Sequence, residues 1–323
     1  MKEGPYALCT DGSNDEGLFK LNPLLVRVFD INEGKVVSQL LDMCTSKKND
    51  AENLFNLIDD AIKENDIDWN HCVAIGMDNT SVNMGVHNSI KSRVLNKNSS
   101  VHVNGCPCHI VHNTAGKGAE DYATVTSFDI EDFLVDLYHY FDKSSKRKVT
   151  LEEFCLFCEQ EYKKIIKYVS TRWLSLEAAV TRSLKIHPSL KSYFLSAEDE
   201  TGPRFHRLVQ HYSGTMLEVH LFFFQSVLQI FIRFNLYLQR HDPQLPTLHD
   251  QIYRFMRELA CKFVNIEAIH KAEDVIKLNV DDPGILKDGR DIYFYRRILN
   301  ILLQNMSNMG LKISEALKTK MAV

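Results

Sequence analysis

Hydrophobic positions change their spacing along the chain. Near the start they run in short strand-like stretches: Tyr6 to Thr10, Leu24 to Ile31 and Val36 to Met43. Turn formers separate them, Asp11-Gly12-Ser13-Asn14-Asp15 first and Asn32-Glu33-Gly34-Lys35 second. That pattern predicts a three-stranded antiparallel meander. Ala51, Leu54, Phe55, Ile58, Ala61 and Ile62 then recur at helical spacing, with Asn49 or Asp50 as the cap. Cys72 to Met77 is a short apolar run of buried-strand type that ends at Asp78. A helix is predicted to start in Asn79-Thr80-Ser81 and run to about Leu95, and Val101-His102-Val103 suits a fifth strand.

From Cys106 the spacing is helical nearly to the end. Amphipathic helices are predicted around Phe128–Phe141, Leu151–Tyr168, Leu174–Ile186, Ile252–Val264 and Tyr293–Leu303. Met216 to Leu238 is apolar on most faces and marks the centre of a helical layer. Its most apolar part, Leu221 to Ile232, contains Gln225 and Gln229 and stops at Arg233. A bilayer span needs roughly 20 apolar residues, so a buried helix is expected. Thr201-Gly202-Pro203, His241 to Pro246 and Asp281 to Gly284 are expected loops, and no internal repeat is visible.

Composition adds limits. Of 323 residues, 45% are hydrophobic and 25% charged, which suits a globular chain of one large or two ordinary domains. The formal net charge of −4 does not advertise nucleic-acid binding, which would need local basic patches. Lys143 to Lys148 and Lys163-Lys164-Lys167 are two such patches, although a basic loop and a solvated helix face explain them as well. No apolar run follows Met1, so a signal peptide is not expected, and the eight cysteines read as thiols in an intracellular protein, nuclear or cytoplasmic.

Several residues carry candidate chemistry. Asp11 and Asp78 each close a predicted strand. Convergent carboxylates hold magnesium, and two such ions about 3.5–4 Å apart activate water against a phosphodiester; the plain alternative is two aspartates that turn the chain. Cys106 and His109 form a Cys-x-x-His pair, and Cys155 with Cys158 offers a second pair, but the second lies among Phe154, Leu156 and Phe157. Buried thiols are therefore expected in place of zinc ligands. Arg172-Trp173 suits stacking on a base with a phosphate held beside it, or else a core tryptophan with a paired arginine.

The blocks TDGSND at Asp11, DNTSVNMG at Asp78, CPCHIVHN from Cys106 to Asn113 and Thr171-Arg172-Trp173 stand in the order of the hAT superfamily of DNA transposases, and the chain resembles that family over residues 7 to 175. The resemblance implies an α/β fold: an RNase H-like core, a mixed sheet with an antiparallel meander whose fourth strand lies beside the first, followed by a large all-α insertion region. The expected division is a core over 1–175 and helices over 176–323. It implies that Asp11 and Asp78 are two members of an Asp-Asp-Glu triad, that Cys106 and His109 are a structural pair without zinc, and that Arg172 and Trp173 contact DNA. The family's closing segment, which carries the third acid and supports dimerisation, has no match in these residues, and neither has the BED-type finger. Glu177 is not at the family's catalytic position.

The expectation is a transposase-derived protein with an incomplete acid site. It would hold magnesium weakly, cut no DNA, and bind nucleic acid or protein partners, with neither a membrane nor a homo-oligomer. The alternatives are a metal-dependent nuclease or strand transferase whose third acid comes from Glu177 or a partner chain, and a protein-binding helical scaffold.

Overall fold

The computed structural model describes residues 4–14, 20–169, 174–196, 201–242, 244–271, 278–279, 282–285 and 287. The chain folds as two compact units, Met1–Ile110 with His241–Pro243, and Val111–Arg240 with Gln244–Val323. The sequence boundary at 175 falls inside the second.

The first unit is a mixed sheet with helices. Its strands are β1 (Tyr6–Thr10), β2 (Ser13–Asn14), β3 (Lys20–Asp30), β4 (Lys35–Ser46), β5 (Cys72–Met77) and β6 (His102–Gly105). β3 pairs antiparallel with β1 (Tyr6 opposite Val28), with β2 (Ser13 opposite Leu21) and, on its other edge, with β4. β1 and β2 thus lie end to end along β3, and the sheet is five strands wide. β5 runs parallel to β1 and β6 parallel to β5. Across the sheet the order is β4, β3, β1 (with β2 beyond it on the same edge of β3), β5, β6.

The meander is therefore present with longer arms than the sequence predicts. Part of the expected turn at Asp11–Asp15 is strand, because Ser13 and Asn14 resume the ladder to β3. The turn after β3 closes at Gly34, whose φ of +63° suits a residue without a Cβ.

Helix α1 (Ala51–Glu64) starts where Asp50 accepts from the Asn53 N–H at 2.9 Å. The single helix expected up to Leu95 is two pieces, α2 (Ser81–Met84) and α3 (Ile90–Lys97). Gly85-Val86-His87-Asn88 interrupts them, and Ser89 opens α3 with a reciprocal cap to Ser92. Phe55, Ile58 and Ile62 of α1 and Ile90 and Val94 of α3 bury themselves against Leu8, Leu24, Val26, Ile75 and Met77 of the sheet. Each such side chain contributes about 1.5–3 kcal/mol on burial.

The helical unit holds most of α4 (Pro107–Thr126), then α5 (Ile130–Asp142), α6 (Ser145–Phe157), α7 (Leu174–Lys185), α8 (His187–Ser196), α9 (Pro203–Ser213), α10 (Leu217–Leu238), α11 (Leu245–Ala260) and α12 (Ile266–Lys271). The expected helix Leu151–Tyr168 is corrected. α6 begins earlier, at the Ser144 cap, and ends at Phe157; Glu159 has φ +55° and residues 160–169 are not helical. Two prolines expected in loops, Pro203 and Pro246, instead open α9 and α11, where a missing N–H costs nothing. The expected helix Tyr293–Leu303 lies outside the described residues.

α10 is, among the described residues, the helix long and apolar enough by composition to cross a membrane. In the fold it lies against α7 and α11. It buries His220, which meets the Tyr122 hydroxyl at 2.5 Å and stacks on Phe128 with ring centres 4.5 Å apart.

Candidate functional site

β1 and β5 run side by side in the same direction, with Cys9 opposite Gly76. Continuing that register by two residues sets Asp11 against Asp78, each just past the end of its strand. Asp11 is exposed and Asp78 half-buried. A third polar group joins them, since His109 feels the charge of both carboxylates.

Local hydrogen bonds place these groups. One Asp78 oxygen accepts from the Thr80 N–H at 2.9 Å and from Asn83 Nδ2 at 2.7 Å. Burial pushes the Asp78 carboxyl upward, but the donors on Thr80 and Asn83, with the His109 charge, outweigh it and hold it below the usual carboxylate range. The Cys106 N–H donates to the Met77 carbonyl at 2.7 Å, and Asn79 Nδ2 donates to the Cys106 carbonyl at 2.8 Å. The end of β5 is thereby stitched to the start of α4. A Cβ on Gly105 would overlap the Asn79 carboxamide, so this crossing needs glycine.

Cys106 and His109 are brought together beside the two acids. The Cys106 thiol is held low, first by a hydrogen bond from Cys108, against the opposing effect of burial, and then by the side chain and N–H of His109. Cys108 is pushed up by the same contact with Cys106. The contact thus moves the two thiols apart, Cys106 towards the thiolate and Cys108 towards the thiol. For His109, burial works to lower the imidazole. The hydrogen bond and charge of Cys106, followed by Asp11 and Asp78, raise it overall. Its Nδ1 is buried without a hydrogen-bond partner.

Cys9 and Asn22 are neighbours of this site that the pattern of the sequence did not single out. Cys9 is raised chiefly by burial, with Arg27 pulling it down and Cys106 pushing it up. It precedes Asp11 by two residues, so strand alternation alone puts both on one face. Asn22 is buried, and its side-chain oxygen lies 2.8 Å from where a Gly12 Cβ would be. Nothing in its spacing marks it.

The other sequence candidates sit elsewhere. Cys155 is fully buried in α6, and Cys158 ends that helix with its sulfur 3.8 Å from the Ser192 hydroxyl. Among the described residues no group of three or more His, Cys, Asp or Glu side chains is placed to hold a metal. Glu177 accepts from Thr181 at 2.8 Å within α7. Arg172 and Trp173 lie outside the described residues. In the basic run, Arg147 lies 4.1 Å from the centre of the Tyr140 ring and donates to its carbonyl at 3.0 Å. Lys163, Lys164 and Lys167 stand on the non-helical stretch after α6, which corrects the expected helix face. No protein-family model matches the chain, and no curated protein matches it either.

Proposed function

We propose that this chain is a transposase-derived protein with an RNase H-like core that no longer cuts DNA and acts by binding nucleic acid. One observation carries the reading: the order β4, β3, β1, β5, β6, with Asp11 and Asp78 just past the ends of the parallel neighbours β1 and β5. That order and those two positions are what the resemblance to hAT transposases leads one to expect. The stitching of Asn79 to Cys106, next to His109, gives the DNTSVNMG and CPCHIVHN blocks a shared structural purpose and supports the reading further.

As a seat for magnesium the pair is poor. One oxygen of Asp78 is already taken by two donors. Burial lowers the His109 imidazole, but Cys106 and then both acids raise it overall, so it competes with a cation for the same negative charge. Magnesium gives up its water reluctantly and needs several well-placed oxygens. The pair therefore supports no cleavage step through a bound metal.

The test is a plasmid nicking assay in magnesium and in manganese, with Asp78→Ala alongside. The expected result is no nicking by either protein and salt-sensitive binding of DNA by both. Metal-dependent nicking that disappears in Asp78→Ala would falsify the loss of cleavage. Absence of any DNA binding at low salt leaves the helical scaffold as the better reading.

A further inference from the structure

In the second unit, α10 and α11 flank a groove of about 550 Å³ lined by Arg233 and Tyr237 of the first helix, Arg240 just past its end, and Arg254, Phe255 and Glu258 of the second. That volume falls in the range of roughly 300–1,000 Å³ seen for ligand clefts. We propose that this groove binds a single-stranded polynucleotide, with the three arginines on phosphates and Tyr237 against a base. The proposal rests on the nucleic-acid reading above for the choice of polyanion, but uses none of the residues around Asp78.

Three features support it. First, the charge is lopsided: three exposed guanidinium groups face one carboxylate in a chain whose overall charge is negative. Second, two of those groups are held in place. Glu258 accepts from Arg233 at 2.6 Å and from Arg254 at 3.1 Å, leaving donors on both guanidiniums for phosphate oxygens. Third, aromatic surface lies among them. The Arg240 guanidinium carbon is 5.4 Å from the centre of the half-buried Tyr237 ring. Below it Phe234 and Phe255 stack with centres 4.6 Å apart, which makes a rigid floor. The Tyr237 hydroxyl is anchored to Thr247 at 2.7 Å, so the ring is set before any ligand arrives. Cations along a groove with a fixed π surface are what binding of a single strand requires, since stacking tolerates any base.

The experiment is fluorescence anisotropy of the full chain with labelled dT20 over a salt series. The double change Arg240→Gln with Arg254→Gln should weaken binding about tenfold and flatten the log–log salt slope by about 1.4, since each lost contact to a single strand is worth about 0.7. Glu258→Gln should tighten binding a few-fold, an effect of opposite sign that partial unfolding does not produce. The proposal is overturned if the double variant binds like the parent, if Glu258→Gln fails to tighten, or if Lys143→Gln with Lys146→Gln removes the binding instead. Poly-glutamate of matched charge competing as well as unlabelled dT20 overturns it too, because an acidic peptide is then the better partner. Failure here with DNA still bound leaves the reading of the core intact; nicking that depends on Asp78 overturns that reading and leaves this groove untouched.

Discussion

Asp78 shows how much of a residue's chemistry is set by its neighbours. Alone it is a strand-end aspartate; between Thr80, Asn83 and His109 it is a carboxylate kept charged despite half-burial. Asn79, one residue on, donates where Asp78 accepts, and holds the main chain of Cys106. Gly105 makes room for it. Gly105→Ala forces Asn79 out of its hydrogen bond and should destabilise the protein by about 1–3 kcal/mol, the usual cost of overpacking. A urea melt measures it, and a midpoint equal to the parent's contradicts the close approach.

At the scale of elements, one buried acid ties α5 to α9 beside the ring contacts of Phe133 and Tyr140. Asp136 accepts from Arg207 Nε at 2.6 Å and Nη2 at 2.8 Å, and from Arg204 Nε at 3.1 Å. Burial raises its carboxyl, but the two guanidiniums outweigh that and hold it low. A depressed carboxyl stabilises the fold above its ordinary value near 4, and that contribution is lost as the pH falls through its lower folded value. The arginine side chains are 45% and 54% exposed, so solvent screens the pairs. Asp136→Asn should therefore cost about 1–2 kcal/mol at pH 7, less than breaking a fully buried pair. Chemical denaturation at both pH values should show the gap to the parent closing towards pH 3; a gap independent of pH rules out the ion pairs as its source.

For the molecule as a whole, a net charge of −4 means that no long-range field draws in a polyanion. Binding has to come from local cation clusters. If the groove between α10 and α11 is the main one, three arginines limit the salt slope on a single strand to about −2. A slope several times steeper points to a larger basic surface than this groove.

The alternation and length of the apolar runs were enough to read β1, β5, α1 and the helical character after Cys106, because those patterns record which faces are buried. The pairing of β1 with β5, and with it the meeting of Asp11 and Asp78, was legible only through the resemblance of the blocks. Spacing along the chain carries no information about which strands become neighbours. The break between α2 and α3 and the early end of α6 were not legible, since both depend on capping bonds and on a left-handed residue, Glu159, that no periodicity marks. The lowered Cys106 thiol follows from the local turn that brings Cys108 and His109 to it, whereas the orphaned nitrogen of His109 and the arginine groove belong to the tertiary structure alone. The nitrogen is buried only once the segments around His109 pack, and the groove exists only where two helices lie side by side; the spacing of residues along the chain records neither.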